Sequence, residues 1–215
     1  MPDTEGAPVE TPEEAGDRAV IHAFDTERRT NARLMEDCQA LGYLPGTILD
    51  LTYGKGAFWK TLPDLDVLGN DLDTSKGAIH FDFRAMPMPD STFETVVFDP
   101  PYRAGGTPTT AAFDDAYGLD RVMSPSYVEG LIREGAAEAV RLARSFVLVK
   151  LQDHVSSGRL QPLSSWAIEA ATEAGARLVD SLHVIGGRAQ PKGTRQVRAR
   201  HGYSTLLVFE KRIRS

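Results

Sequence analysis

The chain has a single cysteine, Cys38, in 215 residues. A lone thiol closes no intrachain disulfide and builds no zinc cluster. Cys38 falls in a helical pattern, where it reads as a small core residue rather than a nucleophile. No apolar run approaches the ~18 residues that cross a bilayer. The N-terminus opens acidic and carries no basic-then-apolar leader. These absences exclude a disulfide scaffold and a membrane span, and they predict a cytoplasmic protein that makes no membrane contact. No cluster of histidine and cysteine stands at metal-ligand spacing, so no metal is expected. There is no internal repeat.

Charge of one sign is missing from two stretches. Residues 1–17 hold six acids and no base. The remainder of the chain is balanced, so the net charge of −6 comes from this leader. Residues 186–202 invert the bias, with Arg188, Lys192, Arg195, Arg198 and Arg200 and no acid. Charge segregation of this kind says more than the sum. The leader is also nearly free of apolar side chains, so residues 1–20 are expected to be a disordered acidic tail. Residues 21–215 are long enough for one well-buried domain and short for two.

What is present is an alternation of strand and helix signals. Apolar residues recur at helical spacing from about Asp25 to Leu41, with Gly42 as a stop. Thr47–Leu51 reads as a buried strand and is followed by a glycine turn leading into a helix. Leu65–Asp71, Ile79–Phe83 and Thr95–Phe98 read as three more strands. Ser124–Arg144 is helical, with Ser124 as N-cap and Pro125 in the first turn. Ser145–Lys150 is the fifth strand, Pro162–Ala174 a helix closed by Gly175, and Leu178–Ile185 and Tyr203–Glu210 the last two strands. This pattern predicts an α/β, Rossmann-like fold: a seven-stranded, mostly parallel sheet with an antiparallel last strand and helices on both faces.

Four acids stand at successive strand ends: Asp50, Asp71, Asp82 and Asp99. In an open α/β sheet those carboxyl ends border one crevice, the usual ligand site. Thr52-Tyr53-Gly54-Lys55-Gly56 forms the glycine turn after the first. A dinucleotide fingerprint would want a third glycine near Trp59, and Phe58-Trp59 are bulky instead, which counts against a pyrophosphate site. Asp71 can accept both hydroxyls of a ribose, a role for which Asp73 competes. Asp82 and Phe83 offer an acceptor and a ring to an adenine. Asp99-Pro100-Pro101-Tyr102 is a stiff, extended turn, because Pro101 lacks an N–H and Pro100 biases Asp99 away from helix.

On these motifs the sequence resembles a class I S-adenosylmethionine-dependent methyltransferase, of the DPPY branch that methylates exocyclic amines (DNA adenine-N6 or cytosine-N4). The resemblance runs from about residue 25 to 210. It implies that Asp50, Thr52, Tyr53, Gly54 and Gly56 hold the methionine part of S-adenosylmethionine, Asp71 the ribose, and Asp82 with Phe83 the adenine. It implies catalysis by Asp99, Pro100, Pro101 and Tyr102. The family often has phenylalanine or cysteine in the first motif, where Thr52-Tyr53 stand here. An aromatic amine is a poor nucleophile, because its lone pair is delocalised into the ring. The Asp99 carboxylate and the Pro100 carbonyl can accept its two N–H bonds and free that pair, while Tyr102 stacks on the base.

The implied partner is nucleic acid, with DNA placed ahead of RNA and adenine-N6 ahead of cytosine. Arg103–Ala116 has the composition of a lid loop, and Arg188–His201 could reach phosphates. Lys150 stands at the same rim, where it could touch substrate or cap its strand. Only 49 positions separate Asp50 from Asp99, which leaves no room for a recognition insert. Three other readings stay open: an amine in RNA such as ribosomal guanine, a small-molecule or protein amide, and a non-catalytic nucleic-acid-binding subunit.

Overall fold

The computed structural model describes residues 20–101, 123–156, 158–186, 198–199 and 201–212. The acidic leader, Tyr102, the expected lid at 103–116 and nearly all of the basic segment lie outside the described residues.

In chain order the elements are α1 (Asn31–Ala40), β1 (Ile48–Asp50), β2 (Val67–Gly69), β3 (Phe93–Phe98) and α2 (Pro125–Leu142). They continue with β4 (Ala143–Leu151), β5 (His154–Ser156), β6 (Arg159–Gln161), α3 (Leu163–Glu173), β7 (Ala176–Ile185) and β8 (Tyr203–Lys211). Six strands form one sheet in the order β2-β1-β3-β4-β8-β7, and β5 and β6 form a separate antiparallel pair. β1, β2, β3 and β4 run parallel, and β8 is antiparallel to both of its neighbours. The antiparallel last strand is as the sequence predicts.

The period-2 alternation of the strands assigns the two faces. Ile48, Val97, Leu148, Leu206 and Val208 pack with Leu34, Met35 and Cys38 of α1. Leu49, Val96, Phe98, Val147, Val149, Leu207 and Phe209 pack with α2 and α3 on the other side. Helices therefore cover both faces. α2 starts where the Ser124 hydroxyl accepts the Tyr127 N–H at 3.2 Å, with Pro125 at its first position.

Three expectations are corrected. Among the described residues the sheet has six strands, not seven, because Ile79–Phe83 contributes a single bridge, Asn70 to Ile79. The reason is the Asn70 side chain. Its amide donates to Phe81 O at 3.0 Å and accepts the Phe81 N–H at 2.9 Å, so it takes the place of a backbone partner and the ladder ends there. The glycine turn does not lead into a helix. Residues 53–65 are successive turns, with Gly56 N–H to Tyr53 O, Trp59 N–H to Gly56 O and Leu62 N–H to Trp59 O.

The first helix begins at Asn31, not Asp25, because Thr30 caps it there by accepting the Arg33 N–H. The chain before it runs along β7, where the His183 N–H reaches Ala23 O and the Ile185 N–H reaches Arg28 O. Fully buried Arg28 ties this segment down, pairing with Asp37 at 2.6 Å and donating to the His22, Ala23 and His183 carbonyls. Sequence reasoning also missed the short β5–β6 pair.

Candidate active site

Parallel strands deliver their carboxyl ends to one rim. Asp50 ends β1 in register with Gly69 of β2 and Val97 of β3. Asn70 and Asp71 follow β2, Asp99 follows β3, and Lys150 lies near the end of β4 beside Val149, the partner of Phe98. A cavity of about 360 Å³ opens at this rim. It is lined by Leu51, Thr52, Gly54, Asn70, Asp71, Leu72, Asp73, Lys76, Phe81, Phe83, Asp99 and Pro101.

The glycine turn is held from three sides. Asp50 is buried and clamps the turn, taking the Thr52 N–H on Oδ1 at 3.0 Å and the Trp59 indole N–H on Oδ2 at 2.8 Å. Burial pushes its carboxyl up to about 7, against the pull of those two donors and with some help from Asp99 and Asp71. Gly54 sits at φ +56 and gives its N–H to Asp71 Oδ2 at 2.9 Å. Thr52 Oγ1 accepts the Asp99 N–H at 2.8 Å, joining the turn to the Asp-Pro-Pro stretch. Tyr53 turns away from the cavity and lies over Gly69 and Gly56, where a Cβ on Gly56 would come 2.7 Å from the phenol oxygen. Gly56, at φ +63, suits this turn and leaves room for the Tyr53 ring.

Asp71 takes a second backbone donor, the Asp73 N–H, on Oδ1 at 2.9 Å. Each of its oxygens keeps a lone pair for a ligand hydroxyl. Asp73 is engaged by Lys76 at 2.9 Å and by Ser75, which hold its carboxyl well below the usual range. Asp82 faces Arg84, which binds both of its oxygens and lowers its carboxyl. Phe83 is buried against Phe98, with ring centroids 5.0 Å apart, and its neighbour Phe81 is 41% exposed. Of the two residues expected at an adenine, Phe83 lines the cavity and Asp82 is not among its lining residues, while Phe81 is.

Asp99 has a side chain 19% exposed, with the Lys150 ammonium 3.4 Å from Oδ2. Burial raises its carboxyl and Lys150 pulls it back down. Pro100 is buried and Pro101 lines the cavity. Tyr102, the fourth residue of the motif, lies outside the described residues. Sequence reasoning missed Asn70, Leu72, Lys76 and Phe81. Asn70 carried a usable signal, a side-chain amide at the end of an apolar strand where burial demands a partner.

No family model matches the chain, and no curated protein matches it. Solved structures do. Magnesium protoporphyrin IX methyltransferase from Synechocystis PCC 6803, with bound SAH, superposes with a TM-score of 0.51 at 12% identity, over 85% of this chain and 81% of that one. The fold is that of the S-adenosylmethionine-dependent methyltransferases. The Thermoplasma acidophilum 1320 protein also superposes on this chain, with a TM-score of 0.51 at 11% identity over 84% of this chain and 88% of that one. Among the described residues, no helix is long and apolar enough to cross a membrane, and no group of three or more histidine, cysteine or acidic side chains could hold a metal ion.

Proposed function

We propose that this chain is an S-adenosylmethionine-dependent methyltransferase acting on an exocyclic amino group of a nucleic-acid base, with adenine-N6 in DNA as the target. The observation that carries this reading is the Asp99 carboxylate, largely buried at the rim of a cavity that Gly54 and Asp71 also line.

The cavity suits the cofactor. Three of its lining residues, Asp71, Asp73 and Asp99, are acids and one, Lys76, is a base, a balance favourable to a cationic ligand. Asp71 has lone pairs for a ribose diol, and Phe81 and Phe83 offer rings to a purine. When bound, the cofactor supplies a methyl group on a positively charged sulfur, already activated for transfer.

The chain's own residues then position the acceptor. Asp99 takes one N–H of the target amine and the Pro100 carbonyl takes the other, so the nitrogen lone pair leaves the ring system. Tyr102 stacks on a base that has left its duplex. Pro100 and Pro101 hold the carboxylate and carbonyl in a stiff extended turn.

Incubation with radiolabelled cofactor, separation of DNA, RNA and protein, and digestion of the labelled pool to nucleosides tests this. The expected product is N6-methyldeoxyadenosine, lost in Asp99→Ala. Label confined to protein, or unaltered transfer by Asp99→Ala, would overturn it.

A further inference from the structure

Lys150 is a buried cation with an unusual setting. Its side chain is 8% exposed, its ammonium lies 3.4 Å from Asp99 Oδ2, and the same nitrogen stands 5.8 Å from the centre of the Phe58 ring. Pairing of Phe98 with Val149 makes Asp99 and Lys150 neighbours on adjacent parallel strands. Both therefore point to the face that α1 and Phe58 cover. A buried ammonium costs several kcal/mol unless a carboxylate answers it, and among the described residues Asp99 is the carboxylate within ion-pair reach.

Asp99 has the converse difficulty. Burial opposes its ionisation; Asp50 and Asp71 share the rim, and the Asp99 charge helps to raise the Asp50 carboxyl. Thr52 engages only its backbone N–H. Among the described residues, Lys150 is the cation that counters this burial. A carboxyl that took up a proton would turn one of its acceptor oxygens into a donor, and an amine N–H would lose its partner.

We propose that Lys150 is a positioning residue that keeps Asp99 ionised and fixes the orientation of its carboxylate toward the acceptor amine. The proposal deepens the functional reading above and rests on it. Lys150 touches neither the amine nor the methyl group; it acts through Asp99. The Phe58 ring, its centre 5.8 Å from the ammonium, adds an aromatic neighbour to the cation.

The test has two readouts on the full chain. The first is the carboxyl carbon resonance of Asp99, assigned by its loss in Asp99→Asn and followed through a pH titration. The second is the pH profile of kcat/KM on DNA. Neutral Lys150→Met and Lys150→Gln are expected to raise the Asp99 titration by about one pH unit or more. The acid limb of kcat/KM should rise with it, a loss that reaches about tenfold at pH values below both titrations and is recovered as pH rises above them. Lys150→Arg should keep both near wild type. An Asp99 titration unmoved in both folded neutral variants overturns the proposal, and so does a moved titration with an unmoved acid limb. If wild-type protein methylates no base, the functional reading fails, and the resonance alone then decides whether Lys150 sets the charge on Asp99.

Discussion

Trp59 donates its indole N–H to Asp50 Oδ2 over 2.8 Å, and both residues are buried. The bulky pair Phe58-Trp59 stands where a dinucleotide site would want glycine. Here the indole holds down the acid that clamps the turn above the cavity. The turn is thus shaped by a side-chain clamp rather than by a helix dipole.

Trp59→Phe keeps the ring and removes the donor, leaving one Asp50 oxygen buried without its partner. The cost is expected to be about 1–3 kcal/mol, read as a lower urea midpoint with unchanged slope. Cofactor affinity by calorimetry should fall in parallel, since Thr52 and Gly54 lose their support. A variant with wild-type stability would show that Asp50 finds another donor.

Asp50 also makes stability fall as pH rises. Its folded carboxyl is raised to about 7 from the usual 3.8. The folded state therefore keeps a proton that the unfolded chain releases, and this contribution is whole below pH 4 and lost on passing through about pH 7. Each tenfold difference in proton affinity is worth about 1.4 kcal/mol. Asp50→Asn cannot titrate, so its stability deficit relative to wild type should be largest near pH 4 and narrow toward pH 8. Chemical denaturation at several pH values measures this, and a constant deficit would contradict it.

Gly135 in α2 has no room for a methyl group, because a Cβ would overlap the Phe98 ring, and Phe98 immediately precedes Asp99. Gly135→Ala is expected to destabilise by about 1–3 kcal/mol through overpacking, despite the better helix propensity of alanine. Phe98→Leu should relieve part of that, giving a favourable coupling energy in a double-mutant cycle. Additive effects would mean that the ring does not fill the space above Gly135.

Much of the fold was legible in local pattern. β3, β4, α2 and α3 fall within a few residues of where periodicity and caps place them, since Ser124, Pro125 and Gly175 act on their own neighbours. The strand expected at residues 79–83 does not form, because the Asn70 amide occupies the positions a backbone partner would take. The segment before α1 misled for a similar reason. Its helical spacing is real, but Thr30 caps the helix later and buried Arg28 commits the preceding residues to the edge of β7. The β5–β6 pair is only three residues a side, too short for alternation to announce it.

By itself the sequence determined the parallel α/β frame and the rim on which Asp50, Asp71 and Asp99 meet. Apolar strands that end on acids leave those acids no other place once period-2 burial sets the faces. Only the tertiary structure decided what each acid does there. Asp50 meets Trp59 nine residues away, Asp82 turns to Arg84 rather than the cavity, and Asp99 meets Lys150 across 51 residues. A carboxylate's charge and free lone pairs depend on burial and on which donors arrive beside it, and both are set when distant strand ends come together.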